Sequence, residues 1–326
     1  MKAIVYTKYG SPAVLRFEDV DKPFPKDNEV LIRIHAACVN YATSAYVRGK
    51  PRALRTIYGL VGPKHRIPGS DVAGRVEAVG KDVAQLNPGD EVFGDLAECG
   101  FGAFAEFACA PEDQLALKPS NATFEEAASV PQAGLVALQG LRHKGRIESG
   151  QRVLICGASG GIGTFAVQIA KSFGADVTGV CSTRNVELVY SLGADHVIDY
   201  TQQDFAASGQ QYDLILATVG YRSIRDYERA LTPTGRYVMS GGSMKQIMEA
   251  SLRGPSLSKA GGKQLCSVSH KTSQDDLRFM KGLIEAGQVR PVVDRSFPLS
   301  EAADALRYYE TRKSQGKVVI TMHFLV

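Results

Sequence analysis

The sequence predicts an α/β protein in which a doubly wound parallel sheet is joined to a second, β-rich part. Three observations carry this. Arg152 to Gly163 runs from an apolar, β-branched stretch (Val153, Leu154, Ile155) into a glycine-rich turn, and Thr164 to Phe173 then repeats apolar residues at helical spacing. From Arg152 onward, strand-like and helix-like stretches alternate, the pattern of βα units that lay parallel strands side by side. Before Lys118 the chain instead has short strand-like runs broken by Gly and Pro turns, which suits a small barrel or sandwich. A length of 326 residues suits two domains.

In the first part, Ala3–Tyr6, Val14–Val20 and Glu29–Ala36 read as strands, separated by turns at Tyr9–Pro12 and Lys22–Pro25. Asp71–Val79, Glu91–Phe93 and Ala103–Ala110 follow, the second after the turn Asn87–Asp90. Phe124–Leu141 reads as a helix with Thr123 as N-cap and a break at Pro131. The alternating part offers strands at Arg152–Cys156, Asp176–Cys181, His196–Ile198, Tyr212–Ala217, Arg236–Met239 and Gln264–Ser269. Helices at Val186–Leu192 and Ile224–Leu231 lie between them. The tail reads as a helix Asp275–Ala286, a helix Ser300–Thr311 capped by Ser300, and a closing strand Lys317–Met322. Loops at Gly49–Pro68 and Gly242–Gly262 are expected to shape the substrate cleft.

The chemistry starts at the turn. Gly157, Gly160, Gly161 and Gly163 let the backbone approach a pyrophosphate, and the following helix presents its N–H groups and positive dipole end to that anion. Ala158 stands where the first glycine of a G-x-G-x-x-G pattern belongs. In a doubly wound sheet the ligand lies at the C-terminal strand ends, here Gly157, Cys181, Thr218 and Ser240. The second strand does not end in Asp or Glu. Ser182, Thr183 and Arg184 follow it instead, two hydroxyls and a guanidinium that suit a 2′-phosphate, so NADP(H) is expected over NAD(H).

Composition narrows the classes. The net charge is +4 with no block of five like charges, so nucleic acid is not an expected partner. No apolar run approaches the ~20 residues of a membrane span. The opening MKAIVYTKYG has neither an apolar leader core nor an amphipathic Arg/Ser-rich pattern, and a cytoplasmic location is the expectation. None of the six cysteines has C-x-x-C spacing, so neither a zinc ribbon nor a redox pair is indicated. Lys50, Arg52, Arg55, Lys64, His65 and Arg66 give Gly49–Pro68 a basic character. It reads as a solvated loop or as a lip that attracts an acidic substrate.

Several stretches together resemble the medium-chain dehydrogenase/reductase superfamily, in its zinc-independent quinone oxidoreductase branch. They are GASGGIG at Gly157–Gly163, VNYATSAYVRG at Val39–Gly49, PGSDVAGRVEAVG at Pro68–Gly80, NPGDEVFG at Asn87–Gly94, SVPQAGLVALQGL at Ser129–Leu141 and GKVVIT at Gly316–Thr321. The resemblance spans nearly the full chain. It implies a GroES-like catalytic domain (residues 1–121 and 272–326) into which a Rossmann NADP-binding domain (122–271) is inserted. It also implies that the cofactor meets Gly157, Ser159, Gly160, Gly161, Ile162 and Gly163, then Ser182, Thr183 and Arg184. Further contacts are implied from Tyr200 beside the adenosine phosphate end, from Thr218, Val219, Gly220, Ser240 and Gly241 at the strand ends, and from Gln132. The positions that hold Cys, His and Cys on zinc in related alcohol dehydrogenases are Asn40, Ser70 and Gln132 here, so no metal is expected. The branch often has Asp at Thr43 and Thr at Val136.

The resemblance implies hydride transfer from NADPH to a quinone or an α,β-unsaturated carbonyl. Such an acceptor delocalises the incoming charge without a Lewis acid. Asn40 is placed to hydrogen-bond the substrate or the nicotinamide ribose, with a proton from Tyr46, Tyr41 or water. Two alternatives stand beside this. One is an enoyl-thioester reductase whose phosphorylated carrier meets Lys50–Arg66. The other is a nucleotide-binding sensor or structural protein of low turnover. A homodimer through the sheet edge at Gln264–Ser269 is expected by analogy.

Overall fold

The computed structural model describes residues 1–241, 246, 249 and 262–322. Apart from residues 246, 249 and 262, the Gly242–Gly262 loop lies outside the described residues. The chain groups into two compact units, Met1–Gln132 with Lys271–Ala286 and Pro291–Val326, and Ala133–His270 with Gly287–Arg290.

The first unit opens with an antiparallel pair, β1 (Lys2–Val5) and β2 (Arg16–Asp19). Then come β3 (Glu29–Val39), α1 (Tyr41–Arg48), a one-turn α2 (Arg55–Tyr58), β4 (Asp71–Val79), β5 (Glu91–Asp95), β6 (Phe107–Pro111) and β7 (Leu115–Leu117). β3 is buried at Val30–Ile32, exposed at Arg33, and buried from Ala36 to Val39, so most of the strand is covered on both sides. The run 124–141 divides at Pro131, as a proline without an N–H requires: α3 (Phe124–Ala128) stops and α4 (Pro131–Leu138) begins, continuing as a wider π-type turn, Gln139–Lys144. Thr123 does cap α3. Its hydroxyl accepts the Glu126 N–H while the Glu126 carboxylate accepts the Thr123 N–H, a reciprocal capping box. α3 packs on β3 and β4, so residues 122–132 group with the first unit.

The second unit alternates as expected: β8 (Arg152–Cys156), α5 (Gly161–Ser172), β9 (Asp176–Cys181), α6 (Val186–Ser191), β10 (His196–Asp199), β11 (Tyr212–Ala217), α7 (Ile224–Arg229), β12 (Leu231–Met239) and β13 (Gln264–Ser267). Its strands lie in the order β10-β9-β8-β11-β12-β13, all parallel. That order puts the reversal of winding between β8 and β11, at the exit of the glycine turn. The helix expected to reach Leu231 stops at Arg229, because Leu231 already pairs with Tyr212 on the sheet.

The tail returns to the first unit as α8 (Gln274–Glu285), β14 (Val293–Pro298), α9 (Ala302–Glu310) and β15 (Lys317–Thr321). β14 and β15 extend the first unit's sheet, β15 lying antiparallel against β3. One expectation needs correction here, and one strand was not foreseen. Ser300 is not an N-cap: Pro298 leads into a 3₁₀ turn, Leu299–Glu301, and α9 starts after Glu301 with no side-chain cap. β14 carried no apolar alternation to reveal it, since no residue in it is buried.

Replacing Thr123 with Ala removes one side of the capping box and is expected to cost about 1 kcal/mol. A urea titration following the first unit should show a lower midpoint with an unchanged slope.

Candidate functional site

The nucleotide turn is built by steric necessity. Gly157 leaves β8 with φ +82°, the left-handed region that glycine enters freely. Its N–H and that of Ala158 both donate to the Val180 carbonyl, while its own carbonyl accepts from Gly160. Gly160 is the N-cap of α5. The N–H groups of Gly161, Ile162 and Gly163 precede the first helical bond, Thr164 N–H to the Gly160 carbonyl. At Gly163 an added Cβ would lie 2.0 Å from the Gly157 oxygen and 2.7 Å from Ala158 Cα, so the helix meets the turn only through glycine. At Gly160 an added Cβ meets nothing nearer than 3.5 Å, which leaves that side open. Ala158 fits in its glycine-pattern position because its methyl faces another glycine, Gly179 on β9.

The strand ends are tied to one another. Gly157 bonds to Val180, Thr218 N–H to the Cys156 carbonyl, and the N–H groups of Ser240 and Gly241 to the Ala217 carbonyl. The Thr218 hydroxyl donates to the Cys156 carbonyl at 2.8 Å. Val219 is exposed and lies where a side chain on Gly157 would have to go, 2.3 Å from its Cβ position. Gly220 gives its space to the Gln246 side chain, and Gly241 to the Thr218 carbonyl. These residues form one continuous rim with the Gly157–Gly163 turn. A pyrophosphate fits that rim: the open side of Gly160, the helix N–H groups and the close approach at Gly163 are the features it needs.

Past β9, Ser182 leads a 3₁₀ turn, Thr183–Asn185. Two residues that the sequence reading missed organise this end. Buried Asn185 donates through Nδ2 to Ser159 Oγ at 2.8 Å and to Ser182 Oγ at 3.2 Å, tying the glycine turn to the turn after β9. Asp199 ends β10 in register with Cys181 and accepts the Thr183 hydroxyl at 2.6 Å. Looking at the end of every strand, rather than only the second, would have found it. Arg184 is exposed, and Tyr200 is half exposed with its ring 5.8 Å from that of Tyr221.

In the first unit, Asn40 ends β3 and caps α1, a helix the sequence reading did not place. Its Oδ1 accepts the Thr43 N–H at 2.8 Å and its Nδ2 donates to Ser70 Oγ at 2.9 Å. The cap fixes which way the amide faces, and the same amide also hydrogen-bonds the Asp71 carboxyl. Beside it, Asp71 is fully buried: Oδ1 accepts the Gln132 N–H at 3.2 Å, and Lys317 Nζ lies 3.7 Å from Oδ2. Burial pushes the Asp71 carboxyl up to about 7 against the pull of the Lys317 ammonium, and the nearby Asp95 adds to the rise. Burial acts to lower the Lys317 ammonium, but Cys38, Asp71 and Tyr309 outweigh it and hold that group above its ordinary value.

The two candidate tyrosines part company. Tyr46 is 1% exposed, stacked on Phe101 and edge-on to Tyr6. Its hydroxyl donates to the His65 carbonyl at 3.1 Å and accepts the His65 N–H at 2.9 Å. That pins the basic loop from inside and makes Tyr46 a core residue, which corrects its reading as a proton donor. Tyr41, the first residue of α1, is 66% exposed. In the basic loop, Arg55 is engaged with the Gly49 carbonyl and the Tyr9 ring, while Arg52, Lys64 and Arg66 are exposed.

The amide of Asn40, the hydroxyl of Ser70 and the amide of Gln132 are not a zinc donor set. Among the described residues no group of three His, Cys, Asp or Glu side chains is arranged to hold a metal. The cysteines are unpaired, and burial pushes the thiols of Cys38, Cys99 and Cys156 up to about 12, so they behave as small apolar groups.

Two outcomes follow. Gly163→Ala should abolish detectable nucleotide binding in calorimetry, because backbone stands where the methyl must go. Asp71→Asn should change the pH dependence of stability. A carboxyl raised in the folded state contributes its full stability below the usual ~4 and loses it as pH climbs to about 7. The wild-type Tm minus the Asp71→Asn Tm should therefore fall across that window and stay flat above it.

Comparison with known proteins agrees with this construction. A family model for the alcohol dehydrogenase GroES-like domain matches residues 26–120, and one described as zinc-binding dehydrogenase matches residues 192–320. The chain is 37% identical over 331 residues to a 2-methylene-furan-3-one reductase of Solanum lycopersicum, covering 98% of this chain and 79% of that one. It is 34% identical over 331 residues to an NADPH-dependent alkenal/one oxidoreductase, chloroplastic, of Arabidopsis thaliana, with the same coverage, 98% and 79%. Among solved structures, the quinone oxidoreductase from Coxiella burnetii superposes with a TM-score of 0.87 at 29% identity, over 99% of both chains. With its parallel sheet, its glycine turn and its GroES-like segment, the chain belongs to the medium-chain dehydrogenase/reductase superfamily, in its quinone-oxidoreductase-like branch.

Proposed function

We propose that this chain reduces quinones or α,β-unsaturated carbonyls with NADPH, without a catalytic metal. The observation that carries the reading is the capped Asn40–Ser70 pair, which puts a neutral hydrogen-bonding surface where metal-dependent relatives need soft ligands. The relatives that reduce alkenals, enones and a methylene-furanone support the acceptor class. The substrate is assigned to the first unit, which corresponds to the expected 1–121 and 272–326 domain, and the nucleotide to the second.

When bound, the nicotinamide supplies the hydride. The chain's own residues do the rest. The Gly157–Gly163 turn and the first N–H groups of α5 hold the pyrophosphate, with Ser159 fixed behind them by Asn185. Ser182, Thr183 and Arg184 take the adenosine ribose end, and Tyr200 its face. Thr218, Val219, Gly220, Ser240 and Gly241 are assigned to the nicotinamide side, and Gln132 is a further assigned cofactor contact. Asn40 is the residue assigned to hydrogen-bond the substrate or the nicotinamide ribose, its amide held in orientation by Ser70, the Thr43 N–H and Asp71. The final proton comes from Tyr41 or water, since the Tyr46 hydroxyl is committed to the backbone. Hydride addition to a conjugated acceptor leaves an enolate that the acceptor itself delocalises, so a hydrogen bond suffices where a metal would otherwise be needed. A homodimer through the open edge of β13 is part of this proposal; that strand ends the sheet order.

Steady-state assays across a panel of quinones, enones, alcohols and acyl-thioesters with NADPH should show turnover of quinones or enones and none of simple alcohols. The metal content of the active preparation should be well below one zinc per chain. Turnover restricted to alcohols, with stoichiometric zinc, would sink the proposal.

A further inference from the structure

Asp199 is an acidic group bonded directly to the segment assigned to the adenosine ribose. It reaches that place from β10, the outer strand, because parallel register sets it beside Cys181 at the end of β9. Thr183 Oγ1 donates to Asp199 Oδ2 at 2.6 Å. Thr201 donates to Oδ1 through its hydroxyl at 2.8 Å and its N–H at 3.0 Å, and Gln202 Nε2 reaches Oδ2 at 3.0 Å. The Thr183 hydroxyl first, then the Thr201 and Gln202 donors, hold this carboxyl below its ordinary range, so it carries its charge at neutral pH.

The direction of the Thr183 bond decides what that residue can recognise. A hydroxyl has one proton. Thr183 and Thr201 lie 3.0 Å apart, oxygen to oxygen, and Asp199 is the acceptor for both hydroxyls. Thr183 therefore turns lone pairs, not a proton, toward a ligand. A ribose 2′-OH can donate to such an oxygen. A 2′-phosphate brings only acceptors and negative charge, and meets the fixed carboxylate behind the threonine. Ser182 is the opposite case: its oxygen accepts from Asn185, which leaves its own proton for a phosphate. The ribose end thus carries both kinds of surface.

We infer that Asp199 is a specificity-determining residue: through Thr183 it presents an acceptor and a negative charge to the 2′ position, holding down affinity for NADPH and keeping NADH usable. This rests on the nucleotide site proposed above and adds a residue that opposes its preference. Asp199 is a positioning residue, acting on the ligand through Thr183.

The test is calorimetric, on the full chain, with adenosine 2′,5′-bisphosphate and 5′-AMP as probes. In Asp199→Asn the side-chain amide donates to Thr183 Oγ1 and turns the threonine proton outward, while Asn Oδ1 still accepts the Thr201 N–H. The ratio of bisphosphate to 5′-AMP affinity should rise about tenfold, the scale of one nearby unit charge at a solvated site. Thr183→Val, which leaves Asp199 held by Thr201 and Gln202, should weaken 5′-AMP more than the bisphosphate, so that the ratio rises. An unchanged ratio in Asp199→Asn, or loss of the bisphosphate rather than 5′-AMP in Thr183→Val, overturns the inference while the nucleotide site stands. Failure of the wild-type chain to bind either probe or NADPH would overturn the site itself, and the inference with it.

Discussion

The approach of α5 to the Gly157 carbonyl is the constraint on which the nucleotide unit depends. A side chain at Gly163 would stand 2.0 Å from that oxygen, and one at Gly157 would stand 2.3 Å from Val219. Because both are glycine, the helix starts directly behind the turn and its first N–H groups face the strand ends. The same closeness lets Ala158 pack against Gly179 and lets buried Asn185 reach Ser159. Phosphate recognition here is mostly a property of backbone geometry, made possible by the absence of Cβ atoms at two positions.

The first unit solves a different problem. It keeps a carboxylic acid, Asp71, and an ammonium, Lys317, fully buried within 3.7 Å of each other. Such a pair is poor evidence of stability, since desolvation opposes the attraction between the charges. It sits where two strands and a helix N-terminus meet: Asp71 on β4, Lys317 on β15 and Gln132 in the first turn of α4. The carboxylate also neighbours Ser70, which receives the Asn40 amide. The arrangement fixes the orientation of the Asn40 side chain with hydrogen bonds.

Much of this was legible from residue order. The alternation after Arg152, the glycine turn, the capping box at Thr123 and the break at Pro131 are local signals, and the structure carries each of them. What escaped the sequence was non-local. α1 has only eight residues and buries Thr43 and the consecutive Ala45, Tyr46 and Val47, so it shows no long one-sided pattern, and its start is marked only by Asn40, whose role as a cap depends on the fold. Tyr46 looked as available as Tyr41, but a backbone segment 19 residues away takes its hydroxyl. Asp199 lay outside the usual place for a ribose-binding acid, and only the register of β10 against β9 brings it there. β14 is added to a sheet by the returning tail, with no buried face of its own to announce it.

The central proposal is hydride transfer from NADPH to an acceptor that stabilises its own charge. That claim is tested most directly by tracing atoms in a single turnover. The chain would be mixed with NADPH deuterated at nicotinamide C4 and an enone, and the product read by NMR. The account predicts deuterium at the β-carbon and a solvent-derived proton at the α-carbon. Deuterium at the carbonyl carbon, giving the allylic alcohol with the C=C intact, would contradict it.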